Sequence, residues 1–312
     1  MVASQSLSLP GRPAVEATPA RRPSAGIWGN ALASLRRDRV TIVAASILAI
    51  LFVLAAAADL LATYLFHYGF TRQDLLNGYQ TPTLADPAFW LGSDDLGRSE
   101  IVRLLYGARV SLSVGLGAAI INLSIGLVLG LTAGFQRGWF DDLVQFVIST
   151  LNSIPAIPLL LIVSVLFQPG PVTLVIILGA LLWPSASLFV RGQTLSLRER
   201  EFVAAGRVAG ASSVRIIVRH ILPNVLPLIF VLTAIDVGTL ILIESALSYL
   251  GLGISPPTPS WGNMLTRAQQ DLSRGPWLVY APGAAIFLTV LCLYLVGDGL
   301  RDALDPRLNR TE

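Results

Sequence analysis

Three carboxylates, Asp59, Asp236 and Glu244, stand inside otherwise apolar stretches of the chain. A charge is costly in apolar surroundings, so its presence suggests a function. Two of these carboxylates, acting as an acid pair, would be the best candidates for catalysis in these stretches. The two histidines, His67 and His220, lie outside these stretches, and no nucleophile, base and orienting group can be assembled. We therefore predict no catalytic residue and reject an enzyme of the membrane interior.

The positions of the acids suggest other functions. Glu244 lies near the end of its apolar stretch, where it can anchor the following loop by hydrogen bonds. Asp236 lies deeper and could face a polar pathway, contact a second chain or pair within this chain. Asp59 lies near the end of the first stretch and is a weaker candidate for a pathway.

The basic residues and the single cysteine exclude several kinds of site. All 22 basic side chains are arginines. A Walker A loop and a Schiff-base enzyme both need a lysine, so neither can be built here. Any ATP-driven step must then be carried out by another chain. Cys292 cannot form an intrachain disulfide or a Cys-rich metal site, and we predict no metal site.

The segment EFVAAGRVAGASSVRIIVRHILPN, residues 201–224, separates two apolar stretches. We predict a helix over Ser196–Val208, a left-handed stop at Gly210 and a second helix capped by Ser212 or Ser213. Leu222 and Pro223 then begin the next span, because proline suits a first helical turn. The arginines of this segment could alternatively hold it at anionic lipid headgroups.

The composition places the whole chain in a membrane. It is 54% hydrophobic and 13% charged, with a mean hydropathy of +0.67, whereas a soluble domain is about 25% charged. Apolar runs of roughly 20 residues predict membrane-spanning helices. We divide one long run at Gln168–Pro171, because two prolines flanking a glycine end a helix. The six predicted spans are Thr41–Phe66, Val110–Phe135, Leu143–Leu166, Val172–Val190, Pro223–Tyr249 and Trp277–Gly297.

Arginine placement predicts the orientation. With both termini in the cytoplasm, sixteen arginines lie inside and six outside, as the positive-inside rule requires. The predicted regions are a cytoplasmic, partly disordered tail at 1–39, a membrane domain at 40–300 and a cytoplasmic tail at 301–312. Within the membrane domain, outer loops occupy 67–109 and 250–276, and a cytoplasmic loop occupies 191–222. The first 30 residues lack the apolar core of a signal peptide.

The 201–224 segment resembles the coupling loop of ABC importer permeases, whose pattern is Glu-Ala-Ala, three residues, Gly, nine residues, Ile, one residue, Leu-Pro. Three positions depart from it: Ala204 replaces the Glu, Gly206 the second Ala and His220 the Ile, while Glu201 lies one turn before the missing Glu. The resemblance implies that the loop seats on an ATPase. The residues expected to do so are Arg200, Glu201, Ala204, Ala205, Gly206, Arg207, Gly210, Ala211, Ser212, Leu222 and Pro223.

Three further stretches, Leu91–Ser113, Glu244–Met264 and Gly297–Pro306, resemble the second (C-type) permease subunit of the dipeptide, oligopeptide and nickel transport family. The resemblance implies an all-α membrane protein of about six transmembrane helices, with the fold of type I ABC importers. It also implies a homologous second permease, two ATPases that bind ATP and Mg²⁺, and an extracytoplasmic solute-binding protein, with no cofactor on this chain. The resemblance further implies that this chain lies in the lipid bilayer of the bacterial inner membrane and that no nucleic acid is a partner.

The remaining expectations concern residues on the predicted outer face and the solute that is transported. Asp94, Asp95, Arg98 and Trp261 are candidates for a binding-protein docking surface or outer gate, although the charges could also satisfy one another. Peptides are the expected cargo, with nickel, glutathione or another small solute as alternatives. An ion-coupled secondary transporter is a remote alternative, because the spans show no pair of matched, interrupted segments.

Overall fold

The computed structural model describes residues 29, 33–167, 170–266, 270 and 272–304, and every regular element in them is helical. Four of these helices are long and apolar enough to cross a membrane, and two bent pairs raise the number to six if each pair is one span. The expected all-α membrane fold is confirmed. Most of the two predicted tails lies outside the described residues, as do Gln168 and Pro169 of the predicted break, while residues 301–304 belong to the last helix.

The first helix, α1, spans Arg39–Ala56. The Asp38 side chain caps it by accepting from the Val40 backbone N–H at 3.0 Å. A hydrogen bond from the Thr41 hydroxyl lowers the pKa of the Asp38 carboxyl. The helical path continues through Ala58–Leu60 and a π-helical turn, Leu61–Leu65, and thus follows the first predicted span.

The second helix, α2, spans Glu100–Gln136 and is 37 residues long. It begins ten residues before the predicted second span, within the segment 67–109 that is assigned to the outer face. The charges at this end of α2 are paired, because Arg109 binds Asp59 at 2.8 Å and Arg103 lies 3.8 Å from Asp94.

The third predicted span is sharply bent. Helices α3, Trp139–Asn152, and α4, Ala156–Phe167, meet at 85°, whereas a single span had been predicted over Leu143–Leu166. Pro155 lacks the N–H that a continuing helix needs, and the Ser153 hydroxyl donates to the Thr150 carbonyl at 2.7 Å.

The fourth predicted span is bent by only 40°. Helices α5, Pro171–Leu181, and α6, Trp183–Arg198, meet at Leu182. The remaining elements are two short helices, α7 and α8, a π-helical turn and three further helices. Their bounds are α7 Glu201–Val208, α8 Ser213–Ile216, the turn Ile217–Ile221, α9 Leu222–Tyr249, α10 Trp261–Met264 and α11 Trp277–Leu304.

Helix α2 lies at the centre of the described chain, where it packs against α5, α6 and α9. Its close approach to α6 depends on a glycine at every fourth position, Gly126, Gly130 and Gly134. A Cβ atom at Gly130 would lie 2.7 Å from the Ser187 carbonyl oxygen. Such spacing lets two helix backbones approach closely without the side chains that would hold them apart.

Candidate functional site

The predicted coupling loop begins with a break that the sequence did not reveal. Helix α6 ends at Arg198 and α7 begins at Glu201, so the single helix predicted over Ser196–Val208 is wrong. Arg200 between them has an extended backbone, with φ −79° and ψ 149°. The break turns α7 away from α6.

The turn that follows α7 has the predicted geometry. Gly210 has φ +76°, the left-handed region that glycine adopts without strain. The Ala211 N–H donates to the Gly206 carbonyl at 3.0 Å, which closes the end of the helix. The Ser212 side chain accepts from the Arg215 backbone N–H at 3.4 Å and caps α8. The loop is therefore a short helix and a tight turn, followed by a helix that continues from Ser213 to Tyr249.

The end of the loop leads directly into a membrane helix. After α8 comes the π-helical turn Ile217–Ile221, and Leu222 and Pro223 form the first turn of α9, as predicted. His220, at the isoleucine position of the family pattern, packs beside Phe202 with ring centroids 6.4 Å apart. A Cβ atom on Gly206 would lie 3.8 Å from the same imidazole, so two of the three departures face each other.

The loop presents an apolar surface. Val208 and Val214 are 90% and 70% exposed on either side of Gly210, and Ala204 and Ala205 are exposed beside them. Sequence reasoning missed both valines, although apolar residues within a polar, arginine-rich segment were a visible signal. Single exposed apolar residues are common, but a group of them on a tight turn is typical of a protein contact.

The loop is held to the core by the Phe135 cluster, which we define as Phe135, Arg198 and Arg207. The Arg198 guanidinium donates to the Phe135 carbonyl at 2.7 Å, near the end of α2. The Arg198 and Arg207 guanidinium carbons lie 5.8 and 5.5 Å from the centre of the Phe135 ring. Cation–π contacts at these distances are favourable. Both α6 and α7 are thereby tied to α2.

A second connection joins α3 to α6. The Arg191 guanidinium donates to both oxygens of Asp141 at 2.6 and 2.7 Å, in the two-pronged geometry that makes such pairs strong. Arg137 and Glu199 form a more exposed pair at 3.2 Å. Of the arginines in the loop segment, Arg200, Arg207, Arg215 and Arg219 are exposed.

Glu244 is fully buried in α9 and organises the end of the protein that is predicted to face outward. It accepts hydrogen bonds from the Ser111 hydroxyl at 2.9 Å and the Ser248 hydroxyl at 2.7 Å. Those hydroxyls in turn accept from the backbone N–H groups of Trp261 and Ile254, at 3.2 and 3.0 Å. The carboxylate therefore anchors the loop between α9 and α10, which is the structural alternative predicted for it.

The other two acids also have partners within this chain. Asp236 is half-buried on α9 and accepts from the Asn122 side-chain amide at 3.1 Å. Asp59 binds Arg109 at 2.8 Å and accepts from the Tyr106 hydroxyl at 2.6 Å. Pairing within the chain, one of the alternatives for Asp236, is thus observed.

The outer candidates divide into a charge cluster and a core residue. Asp94 binds Arg98 at 2.6 Å and also accepts from the Leu96 and Arg98 backbone N–H groups, and Asp95 lies beside it. Trp261, in contrast, is only 1% exposed and donates its indole N–H to the Leu104 carbonyl at 3.1 Å. Trp261 offers no docking surface in this arrangement, because it fills the space between α2 and α10.

Known proteins are similar in sequence to this chain over most of its length. The family model described as binding-protein-dependent transport system inner membrane component matches residues 126–310. An oligopeptide transport system permease protein from Bacillus subtilis (strain 168) is 33% identical over 287 residues, 92% of each chain. A glutathione transport system permease protein from Escherichia coli O157:H7 is 38% identical over 90% of this chain and 91% of its own. A dipeptide transport system permease protein from Alkalihalophilus pseudofirmus is 36% identical over 90% of each.

Proposed function

Because the chain belongs to the family of binding-protein-dependent transport system inner membrane components, we propose that it forms half of a translocation pathway for di- and oligopeptides. The protein is a multi-pass bacterial inner-membrane protein, and its relatives are permease subunits of ABC importers. In the proposed assembly a homologous second permease supplies the other half of the pathway. A solute-binding protein delivers the cargo at the outer face, near Asp94, Asp95 and Arg98.

The observation that carries this proposal is the coupling loop. Helix α7 and the start of the helix after the turn place Ala204, Ala205, Val208 and Val214 on an exposed surface around Gly210. An ATPase groove that receives this turn would cover the apolar side chains and remove their exposure to water. ATP and Mg²⁺ are bound by the two partner ATPases, since this chain has no lysine for a Walker A loop.

Movement of the ATPases reaches the membrane helices through contacts on this chain. The Phe135 cluster ties α7 to the end of α2, and the Asp141–Arg191 pair ties α3 to α6. When the ATPases close, α7 and α8 move with them and carry α2, α3 and α6 as connected bodies. This rigid-body shift would alternate the pathway between inward- and outward-facing states.

The names of the relatives support peptides as the cargo. Their names specify oligopeptides, dipeptides and glutathione, and glutathione is itself a tripeptide. All three carry an ammonium group, carboxylates and peptide bonds. We propose short peptides as the cargo, with glutathione as one member of that class.

The test uses the assembled importer reconstituted in liposomes with its binding protein. A Gly210→Arg variant forces a bulky residue into φ +76° and disrupts the turn that faces the ATPase. We expect peptide uptake to be lost while the membrane helices remain folded. The matched control is Gly138→Arg, at a cytoplasmic turn outside the loop with φ +68° and open space around it. Equal uptake by Gly210→Arg and wild type would disprove the proposal. A separate competition experiment, glutathione against dipeptides, tests which peptides are the cargo.

A further inference from the structure

An open groove of about 240 Å³ lies between α1 and α11, at the end of both helices that is predicted to face the cytoplasm. The two helices are in close contact beside it, because Gly299 of α11 packs directly against Thr41 of α1. A Cβ atom on Gly299 would lie 2.9 Å from the Thr41 Cβ atom. The walls of the groove therefore hold a fixed position relative to each other.

The walls of the groove are apolar. They are formed by Leu35, Ile42, Ala45, Val296 and Leu300. Thr41 also lines the groove, but its hydroxyl donates to the Asp38 carboxylate. The same carboxylate accepts from the Val40 backbone N–H at 3.0 Å, so both polar groups are satisfied within the chain. The groove suits an alkyl chain, since an apolar cavity of about 150 Å³ is already large enough for benzene.

Three exposed arginines lie at this end of the two helices. Arg36 lines the groove itself, Arg39 is the first residue of α1, and Arg301 directly follows the lining residue Leu300. Their guanidinium groups form no ion pair or hydrogen bond with another residue that the structure describes.

Two exposed acids of α11 do not face the groove. Asp298 and Asp302 each lie two residues from a lining residue, Val296 or Leu300, which is about half a helical turn. They therefore lie on the opposite face of α11. The groove is thus apolar along its walls and carries unpaired positive charge at one end.

We propose that the groove binds an acyl chain of an anionic phospholipid whose phosphate group lies at Arg36. The polarity of the groove matches such a lipid, because its walls lie along the membrane helices and its arginine lies at their cytoplasmic end. An arginine at the end of a membrane helix reaches the headgroups by extending its side chain. A soluble anion would leave the apolar walls uncovered. A zwitterionic lipid would bring a second, positive charge to the same arginines.

Native mass spectrometry of the full-length protein tests this proposal without depending on the proposed transport function. The protein is released from micelles that contain equal amounts of phosphatidylglycerol and phosphatidylcholine with the same acyl chains. We expect phosphatidylglycerol to be retained at least about fivefold more often, which corresponds to the contribution of one arginine near an anionic lipid. Equal retention of the two lipids by wild type would overturn the proposal. Excess glycerol phosphate should not displace the lipid, because it has no acyl chain, and displacement would also overturn the proposal.

Two variants separate the charge from the groove. Arg36→Gln combined with Arg39→Gln should abolish the preference for phosphatidylglycerol, because both guanidinium groups are lost. Ala45→Phe should reduce lipid retention at least about fivefold with every arginine in place, since Ala45 is exposed and lines the groove. Thermal unfolding establishes that each variant is folded. Unchanged retention and preference in either folded variant would overturn the proposal.

The matched control is Arg215→Gln combined with Arg219→Gln, which removes the same charge from exposed positions in the coupling loop. We expect this control to keep the wild-type preference for phosphatidylglycerol. If it lost as much of the preference as Arg36→Gln with Arg39→Gln, the lipid would be attracted by the general positive charge of the surface. That outcome would overturn the assignment of the lipid to the groove.

Discussion

At the scale of single residues, the acids inside apolar stretches serve as structural anchors. Glu244 holds two serine hydroxyls, Asp59 binds Arg109, and Asp236 holds Asn122. Each carboxylate joins two helices or a helix and a loop, so its burial is compensated within the chain. A charge in an apolar segment is thus a reliable sign of a specific contact, though not of contact with cargo.

The contacts of Glu244 lead to a stability prediction. Glu244→Ala would leave the Ser111 and Ser248 hydroxyls without their acceptor, at a cost of about 2–4 kcal/mol. We expect a lower temperature of thermal unfolding in detergent and faster proteolysis of the loop after Tyr249. Glu244→Gln keeps a hydrogen-bond acceptor, so its unfolding temperature should fall less than that of Glu244→Ala.

The control for this prediction is Glu199→Ala, which removes a largely exposed carboxylate paired only with Arg137. Surface ion pairs contribute about 0–1 kcal/mol to the free energy of unfolding, so we expect little change in the unfolding temperature. If Glu244→Ala unfolded at the same temperature as Glu199→Ala, the anchoring role would be wrong.

At the scale of elements, the coupling loop is attached to the core because α6 and α7 both contact the end of α2. The break before α7 lets that helix turn back so that Arg207 reaches Phe135 at the end of α2. Arg198 reaches the same residue from α6. Three helices therefore meet at one aromatic ring, which makes Phe135 the natural point for transmitting loop movement.

This arrangement predicts partial uncoupling when the ring is removed. Phe135→Leu keeps an apolar side chain and the backbone acceptor of Arg198, but it loses both cation–π contacts, worth about 0.5–1 kcal/mol each. We expect ATP hydrolysis by the reconstituted importer to continue while peptide taken up per ATP falls severalfold. The exposed Phe146 of α3 provides the matched control, and Phe146→Leu should keep the wild-type ratio. If Phe135→Leu took up as much peptide per ATP as wild type, loop movement would not be transmitted through Phe135.

At the scale of the whole molecule, the helices agree with the arginine distribution. Four long helices and two bent pairs provide up to six spans. Six spans would bring both ends of the chain and the coupling loop to one side. The excess of arginines on that side predicts that it is the cytoplasm.

Cysteine labelling tests this topology. Cys292 is buried in α11, so a Cys292→Ala background removes the only native thiol with little change at the surface. In that background, Arg215→Cys in the coupling loop should react with a membrane-impermeant maleimide only in inside-out vesicles. Leu84→Cys, at an outer-loop position 88% exposed, should react only in right-side-out vesicles. The reverse pattern would invert the proposed orientation.

Local features were predicted well from the sequence. Gly210 stops a helix, Ser212 caps the next and Pro223 begins α9, each as expected. These outcomes depend on the φ range and hydrogen-bonding groups of single residues, which their neighbours in the sequence largely decide. Length and apolarity similarly indicated the membrane class, because a bilayer demands long runs of apolar residues.

Contacts between distant residues were not predictable in this way. Arg109 on α2 pairs with Asp59, which lies 50 residues earlier in the chain. The burial of Trp261 depends on Ser111 and Leu104, and the Phe135 cluster depends on the direction that α7 takes after its break. The sequence by itself determined the membrane class, the family pattern and the turn of the coupling loop. Only the tertiary structure decided which charges are paired, which aromatic residues are buried and how the loop is attached, because these depend on packing between helices far apart in the chain.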